Sequence, residues 1–449
     1  MSERSAVQAP PEQRTPPPPL RPIPVATAYV VALAAVAVLA GVHLTQGTSG
    51  VGALDLLKLL VGQADPQVAN ILSGSRLPRM LAGVLVGVAL GCAGAALQSV
   101  ARNALAAPDT LAVNAGAHLA VVLAAAFGIS LTASGSLLGS LSALGSAFVG
   151  GLLAAGLVLV LSAGGSTSPT RVILAGSAIT MALQSLTYLF LLLYEQETRG
   201  LFAWGMGSLV QAGLAPIAQL TPVVALAVGG CLLIGHRLDI LALGEDTASV
   251  LGVPVRRTRL IAAALAVLLA AASVALAGPI AFVGLVAPAA VRLLSARIPG
   301  LMRHRVLFPL SGLAGVLIVL AADIAVRAVL GGQAGVDIPT GVVTTILGAV
   351  VLIALARGHR DTGPTRQPPA PHAAAVRSRR FVAGVLVVCA ALLAGSLIAG
   401  MLLGDTWVLT GDVANWLAGQ SSTGMGAMLQ GRWPRVGAAL LAGLALAIA

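Results

Sequence analysis

Charge is what this 449-residue chain lacks most. Only 9% of its residues are Asp, Glu, Lys or Arg, against about 25% in a soluble globular protein, too few to keep a body of this size in water. Lysine is nearly absent: Lys58 stands alone, and every other basic residue is an arginine. The net charge of +11 does not mark a nucleic-acid partner, because those arginines sit singly between apolar runs rather than in a patch. Cysteine is scarce as well. Cys92, Cys231 and Cys389 each lie in an apolar run without a paired spacing, which argues against a disulfide framework. The six histidines have neither H-x-x-x-H nor C-x-x-C company, so no metal site and no cofactor are expected. No lysine follows a Gly-rich loop, so there is no phosphate-cradling Walker A motif and no ATP hydrolysis by this chain itself.

What the chain has in abundance is apolar sequence, 57% of its residues. A helical span needs about 20 such residues. Candidate spans fall at 25–44, 80–100, 111–128, 144–163, 172–194, 216–235, 259–277, 281–293, 306–326 and 339–356, the eighth too short to cross alone. The fold class is therefore all-α and polytopic, in a lipid bilayer. Residues 1–24 read as a disordered cytosolic tail, 25–357 as a complete ten-helix unit, and 358–380 as a Pro- and Arg-rich cytosolic linker, after which a new apolar run begins. With the N-terminus inside, all 26 basic residues fall on the cytosolic side except Lys58, Arg76, Arg79, Arg199, Arg327, Arg432 and Arg435.

An internal repeat is visible. Arg76-Leu77-Pro78-Arg79 recurs as Arg432-Trp433-Pro434-Arg435, and Gly87 and Leu90 match Gly443 and Leu446 at the same offset. Upstream, Gly62-Gln63 matches Gly419-Gln420 with a one-residue gap. Residues 381–449 thus read as the first helices of a second copy, expected to continue in a tandem protein of twice the unit length.

Six blocks in order carry a family resemblance: RLPR (76–79), Gln98 with RNALAAP (102–108), WGMGSL (204–209), LALGEDTASVLGV (241–253), AGPIAFVGLVAP (277–288), and ADIAVR (322–327) followed by DIPTGVVTTILGA (337–349). Together they resemble the permeases of binding-protein-dependent ABC importers for iron–siderophores, haem and cobalamin, the FecCD type. The tandem arrangement resembles the fused iron–hydroxamate permeases. The resemblance implies import of ferric siderophore by alternating access through a bacterial plasma membrane. Its implied partners are cytosolic ABC ATPase subunits and an extracytoplasmic siderophore-binding protein. Cobalamin or haem is the alternative cargo. Departures from the pattern stand at Ala112 and Ala281, where glycine is usual, at Pro288-Ala289 for Pro-His, and at Val350-Val351-Leu352 for Pro-Phe-Phe.

Within 237–257, the one polar stretch long enough to dock a soluble partner from the cytosol, Glu245 and Asp246 open a short amphipathic helix, where the helix dipole favours acids, and Gly252 suits its C-terminal cap. By the resemblance, Leu243, Gly244, Glu245, Asp246, Ala248, Leu251 and Gly252 couple to the ATPase. The wrong-side arginines Arg76, Arg79 and Arg327 read either as snorkelling residues, with Asp323 placed i−4 from Arg327 to pair with it, or as docking sites for acidic lobes of the binding protein. The resemblance favours docking, with Arg432 and Arg435 repeating the first two. Gly83, Gly87 and Gly91, four apart, point to close helix packing. Gln98, Asn103 and Pro108 are read as lining the path or supporting that packing. A structural role is preferred for Gln98, Asn114, His118 and Gln184. An ion-coupled carrier would need a titratable residue near mid-membrane and no coupling helix. An intramembrane enzyme would need paired catalytic groups such as Ser with His, and no such pair is apparent in the sequence.

Overall fold

In hydrocarbon no water satisfies a stray N–H or C=O, so apolar runs of this length close their hydrogen bonds within themselves as helices. The computed structural model describes residues 24–47, 65–129, 142–162, 169–211, 213–295, 297–331, 338–358, 379–403 and 407–448, with positions 52, 55, 58 and 61. The expected tail, over 1–23, and linker, over 359–378, lie outside the described residues. The chain divides into two compact units, 1–359 and 360–449.

The first unit contains α1 (Val25–Thr45), α2 (Pro66–Ile71), α3 (Leu77–Ala101), α4 (Val113–Ala126), α5 (Ser142–Ser162), α6 (Pro169–Leu193), a single turn α7 (Leu201–Trp204), α8 (Ala215–Ala242), the short α9 (Glu245–Val250), α10 (Val255–Ala277), α11 (Val283–Leu294), α12 (His304–Leu330) and α13 (Thr340–Gly358). Among the described residues seven helices are long and apolar enough to cross a membrane, counting α2 through α3 as one. The shorter apolar α4, α11 and α13 complete the bundle. The second unit holds α14 (Arg379–Leu402), α15 (Thr410–Leu417) and α16 (Thr423–Ile448).

At the centre, α3 packs along α12 and α10. Its small residues make that contact possible. A methyl group on Gly91 would lie 2.1 Å from the Ser311 carbonyl oxygen, and one on Gly94 would lie 1.6 Å from that of Gly284. Only hydrogen fits between the backbones.

Two irregularities have local causes. Between α2 and α3 a π turn spans Leu72–Arg76, with the Leu77 N–H reaching back to Leu72. Pro78 follows, but Pro434 at the matching position of the repeat sits in regular helix, so the extra residue rather than the proline widens the turn. The matching segment, Arg432–Arg435, lies within α16, which is continuous α-helix through Pro434. The one-residue gap in the repeat therefore falls where the first copy accommodates one extra residue in a wider turn. The second irregularity is the segment 278–282, which stands in for the missing half of α11. Neighbours satisfy the backbone around it: Ser208 N donates to Ala277 O at 2.7 Å, and Phe282 N to Asp109 Oδ2 at 3.3 Å. Ala112, where glycine is usual, has φ 57°, the left-handed region in which a Cβ costs about 1 kcal/mol or more.

Candidate functional site

Three groups of residues can carry function, one at each end of the bundle and one along its side. At the first end, α8 leads through Leu243 and Gly244 into α9. The helix closes with a Schellman cap: Gly252 N donates to Ser249 O at 3.0 Å and Val253 N to Ala248 O at 2.9 Å. Gly252 has φ 78°, which glycine adopts without strain. Ala248 and Val253 are buried under the cap, so Ala248 holds α9 to the body rather than facing outward. Leu243, Val250 and Leu251 are 69, 86 and 58% exposed beyond the spanning helices, an apolar patch beside the acidic pair Glu245 and Asp246. Arg259 on α10 bridges to Glu245 at 2.6 Å and steadies the first turn.

At the opposite end, four helices meet on one carboxylate. Arg79 holds Asp323 with both arms of its fork, Nη2 to Oδ1 at 2.8 Å and Nε to Oδ2 at 3.1 Å. His43 Nε2 lies 2.9 Å from Oδ2, Thr340 Oγ1 donates to Oδ1 at 2.6 Å, and Arg327 also bonds Oδ2. The expected Asp323–Arg327 pair is thus one part of a cluster from α1, α3, α12 and α13. Arg327 further donates to Gln46 O at 3.1 Å, and Arg76 donates to Leu44 O at 2.7 Å and Thr45 O at 3.2 Å. These carbonyls end α1 and have no partner within it. The same device recurs in the second unit, where Arg432 donates to Met401 O and Leu402 O at 3.2 and 3.3 Å.

This placement changes the docking expectation. Arg76, Arg79 and Arg327 are 4, 6 and 7% exposed, and their guanidinium groups are committed to helix ends and to Asp323. A direct bridge to a partner needs an exposed guanidinium, so contact docking does not describe these three in this structure. The path or packing alternatives also divide. Gly83 and Gly87 join Gly91 against α12, Gln98 Nε2 donates to Leu285 O at 3.1 Å, and Pro108 fills the space beside Gly284. Asn103 caps its own loop by accepting from Leu105 N at 2.9 Å. The three glycines, Gln98 and Pro108 thus make helix-to-helix contacts, while Asn103 bonds only within its own loop. Asn114 bonds Asp109 at 2.8 Å and His118 bonds Leu201 O at 3.2 Å, both structural as expected.

Gln184 differs. It is exposed on α6, on a line that runs from exposed Ser177 through the apolar Met181 to Gln184, Tyr188 and Leu192, so the face is mixed. Polar groups on one face of a spanning helix call for water or protein rather than lipid. This stripe is the third group.

Sequence reasoning missed Ser99, Asp239 and His304. His304 Nδ1 lies 2.6 Å from Asp239 Oδ1, and its Nε2 lies 2.8 Å from Ser99 Oγ. The arrangement has the order of a hydrolase triad, yet Ser99 is no nucleophile. Its hydroxyl bonds Ala95 O at 2.7 Å, and the Arg292 guanidinium donates to the same oxygen at 3.1 Å. No spacing signal joins three residues so far apart in the chain.

The FecCD transport family model matches residues 33–358. The chain is 38% identical over 314 residues to the ferric enterobactin transport system permease protein FepD of Escherichia coli (strain K12), covering 69% of this chain and 89% of that one. It is 31% identical over 378 residues to the iron(3+)-hydroxamate import system permease protein FhuB of Salmonella typhimurium, covering 84% of this chain but 51% of that longer relative. That alignment is longer than the first unit, so it reaches into the second. A solved metal-chelate type ABC transporter in an inward-facing conformation superposes with a TM-score of 0.61 at 25% identity, covering 74% of this chain and 99% of that one. With the ten-helix unit and these matches together, the chain belongs to the FecCD transport family: it is a multi-pass membrane permease, a transport subunit rather than an enzyme.

Proposed function

We propose that the chain is the permease of an ABC importer that carries ferric siderophore, of the hydroxamate type, across the bacterial plasma membrane. Separate ATPase subunits bind at α9, and an extracytoplasmic binding protein delivers the ligand at the opposite end. The N-terminus and the α9 end then face the cytosol. The observation that carries this reading is α9 itself, a rigidly capped knob with exposed Leu243, Val250 and Leu251 beside two acids, continuous with α8. Such a patch on the aqueous side of a membrane protein fits an interface, not lipid. On α6, exposed Ser177, Gln184 and Tyr188 among Met181 and Leu192 would offer the ligand polar contacts on an otherwise apolar face.

Arg79 and Arg327 at Asp323, with Arg76 at the end of α1, leave the outward end positive, which attracts an acidic binding protein at long range even with the guanidinium groups buried. Arg432 and Arg435 repeat that pair in the second unit, read as the start of a second permease copy. The relatives' names support iron as cargo, and hydroxamate permeases among them, at 35 and 31% identity, support the type.

Charge reversal on α9 tests the reading. Glu245→Lys with Asp246→Lys leaves the amount of permease in the membrane unchanged, because both side chains are exposed. The ATPase no longer co-purifies, and uptake falls by about tenfold or more. Uptake and co-purification at wild-type levels would overturn it.

A further inference from the structure

The Asp239–His304–Ser99–Arg292 cluster lies where α8, α3, α11 and α12 converge behind α9. Its geometry is that of a linkage. Asp239 belongs to the last turn of α8, and the joint to α9 is hydrogen-bonded onto that same turn, Leu243 N to Ile240 O at 3.1 Å and Gly244 N to Leu241 O at 3.2 Å. A displacement of α9 therefore moves Asp239.

Asp239 grips the first residue of α12 twice. Oδ1 accepts from the His304 backbone N–H at 2.9 Å and lies 2.6 Å from Nδ1. A carboxylate only accepts, so Nδ1 carries a hydrogen. The other ring nitrogen reaches Ser99 in the last turns of α3, and Arg292 at the end of α11 closes on the same hydroxyl. A second tie joins the same helices, with Arg102 Nη2 donating to Leu241 O at 2.6 Å. The imidazole is 95% buried by its neighbours and packs against the Phe308 ring at 5.5 Å, so it does not swing free.

Apolar contacts between helices let them slide; directed polar bonds hold a register. From His304, α12 runs continuously to Asp323, some 19 residues or about 28 Å along the axis. One rigid element thus joins the α9 end to the cluster that gathers α1, α3 and α13 at the other end.

We infer that His304, held between Asp239 and Ser99, is a positioning residue that passes the movement of the ATPase-binding helix α9 from α8 into α3, α11 and α12. This rests on the assignment of α9 as the ATPase contact, and the two are separable. The linkage predicts that breaking it leaves ATP hydrolysis running while transport lags, because the ATPase still binds α9 but its stroke is lost between helices.

The test uses the full-length protein reconstituted in liposomes with its ATPase and binding protein, and reads ferric siderophore taken up per ATP hydrolysed. His304→Leu keeps the bulk and removes both ring bonds. It is expected to lower uptake per ATP by about tenfold, the scale of an ordinary coupling energy, with ATPase co-purification unchanged. His304→Asn, whose amide nitrogen stands in for Nδ1 on Asp239, recovers part of the ratio. A purely structural histidine would lower assembled complex, uptake and hydrolysis together and leave the ratio at its wild-type value; that result overturns the inference. Should His304→Leu fail to assemble, Ser99→Ala removes the α3 end by one atom and is read by the same ratio. Retention of the ATPase by the Glu245→Lys, Asp246→Lys protein would instead overturn the α9 assignment, a different readout from the ratio.

Discussion

Gly94→Ala leaves little folded permease in the membrane. The added methyl would lie 1.6 Å from the Gly284 carbonyl oxygen, and the obstacle is backbone on both sides, so no rotamer change relieves it. Helices α3 and α11 must part, and the loss exceeds the roughly 1–3 kcal/mol of ordinary overpacking. Gly91→Ala, 2.1 Å from the Ser311 oxygen, behaves alike against α12. Gly41→Ala is the control: its methyl meets nothing within 4 Å, and in mid-helix alanine is preferred over glycine by about 1 kcal/mol. Monodisperse permease recovered from membranes in mild detergent measures all three. Wild-type yield from Gly94→Ala contradicts the close crossing of α3.

Asp323→Ala is the second large effect. The carboxylate is fully buried and serves as the acceptor for Arg79, Arg327, His43 and Thr340. Its removal leaves two guanidinium groups facing each other without an anion. Breaking a buried ion pair from one side costs about 3–5 kcal/mol. The expected result is a large fall in the thermal midpoint of the purified protein and loss of uptake. Thr340→Val removes a single neutral donor from the same carboxylate and costs about 1 kcal/mol. Equal shifts for the two variants would show that Asp323 is not the hub.

The helices were legible because the membrane sets their length, and the glycine spacing in α3 announced its packing before any coordinate. The capped helix over 245–250 was legible too, since acids at one end and glycine at the other are local signals. Roles that depend on distant partners were not. The arginines at 76, 79 and 327 stood out by position, but nothing in the sequence shows that His43 lies beside Asp323, 280 residues away. Ser99, Asp239 and His304 carry no shared motif, so their meeting is a product of packing alone. The one-residue gap between the repeated segments was visible, but not how it is absorbed: a π turn stands before Pro78, whereas Pro434 at the matching position lies in unbroken α-helix, so the proline is no signal for it. Ala112 shows the reverse case. This departure from the family pattern sits at a left-handed backbone position, where glycine has a conformational reason.

On the proposed function, ATP hydrolysed on a separate subunit bound at α9 drives transport through this chain. Ferric siderophore uptake into liposomes holding the full-length permease, its ATPase and its binding protein tests it most directly. The expected uptake requires ATP and the ATPase and is indifferent to collapse of the proton and sodium gradients. Uptake sustained by an ion gradient with the ATPase left out would contradict it.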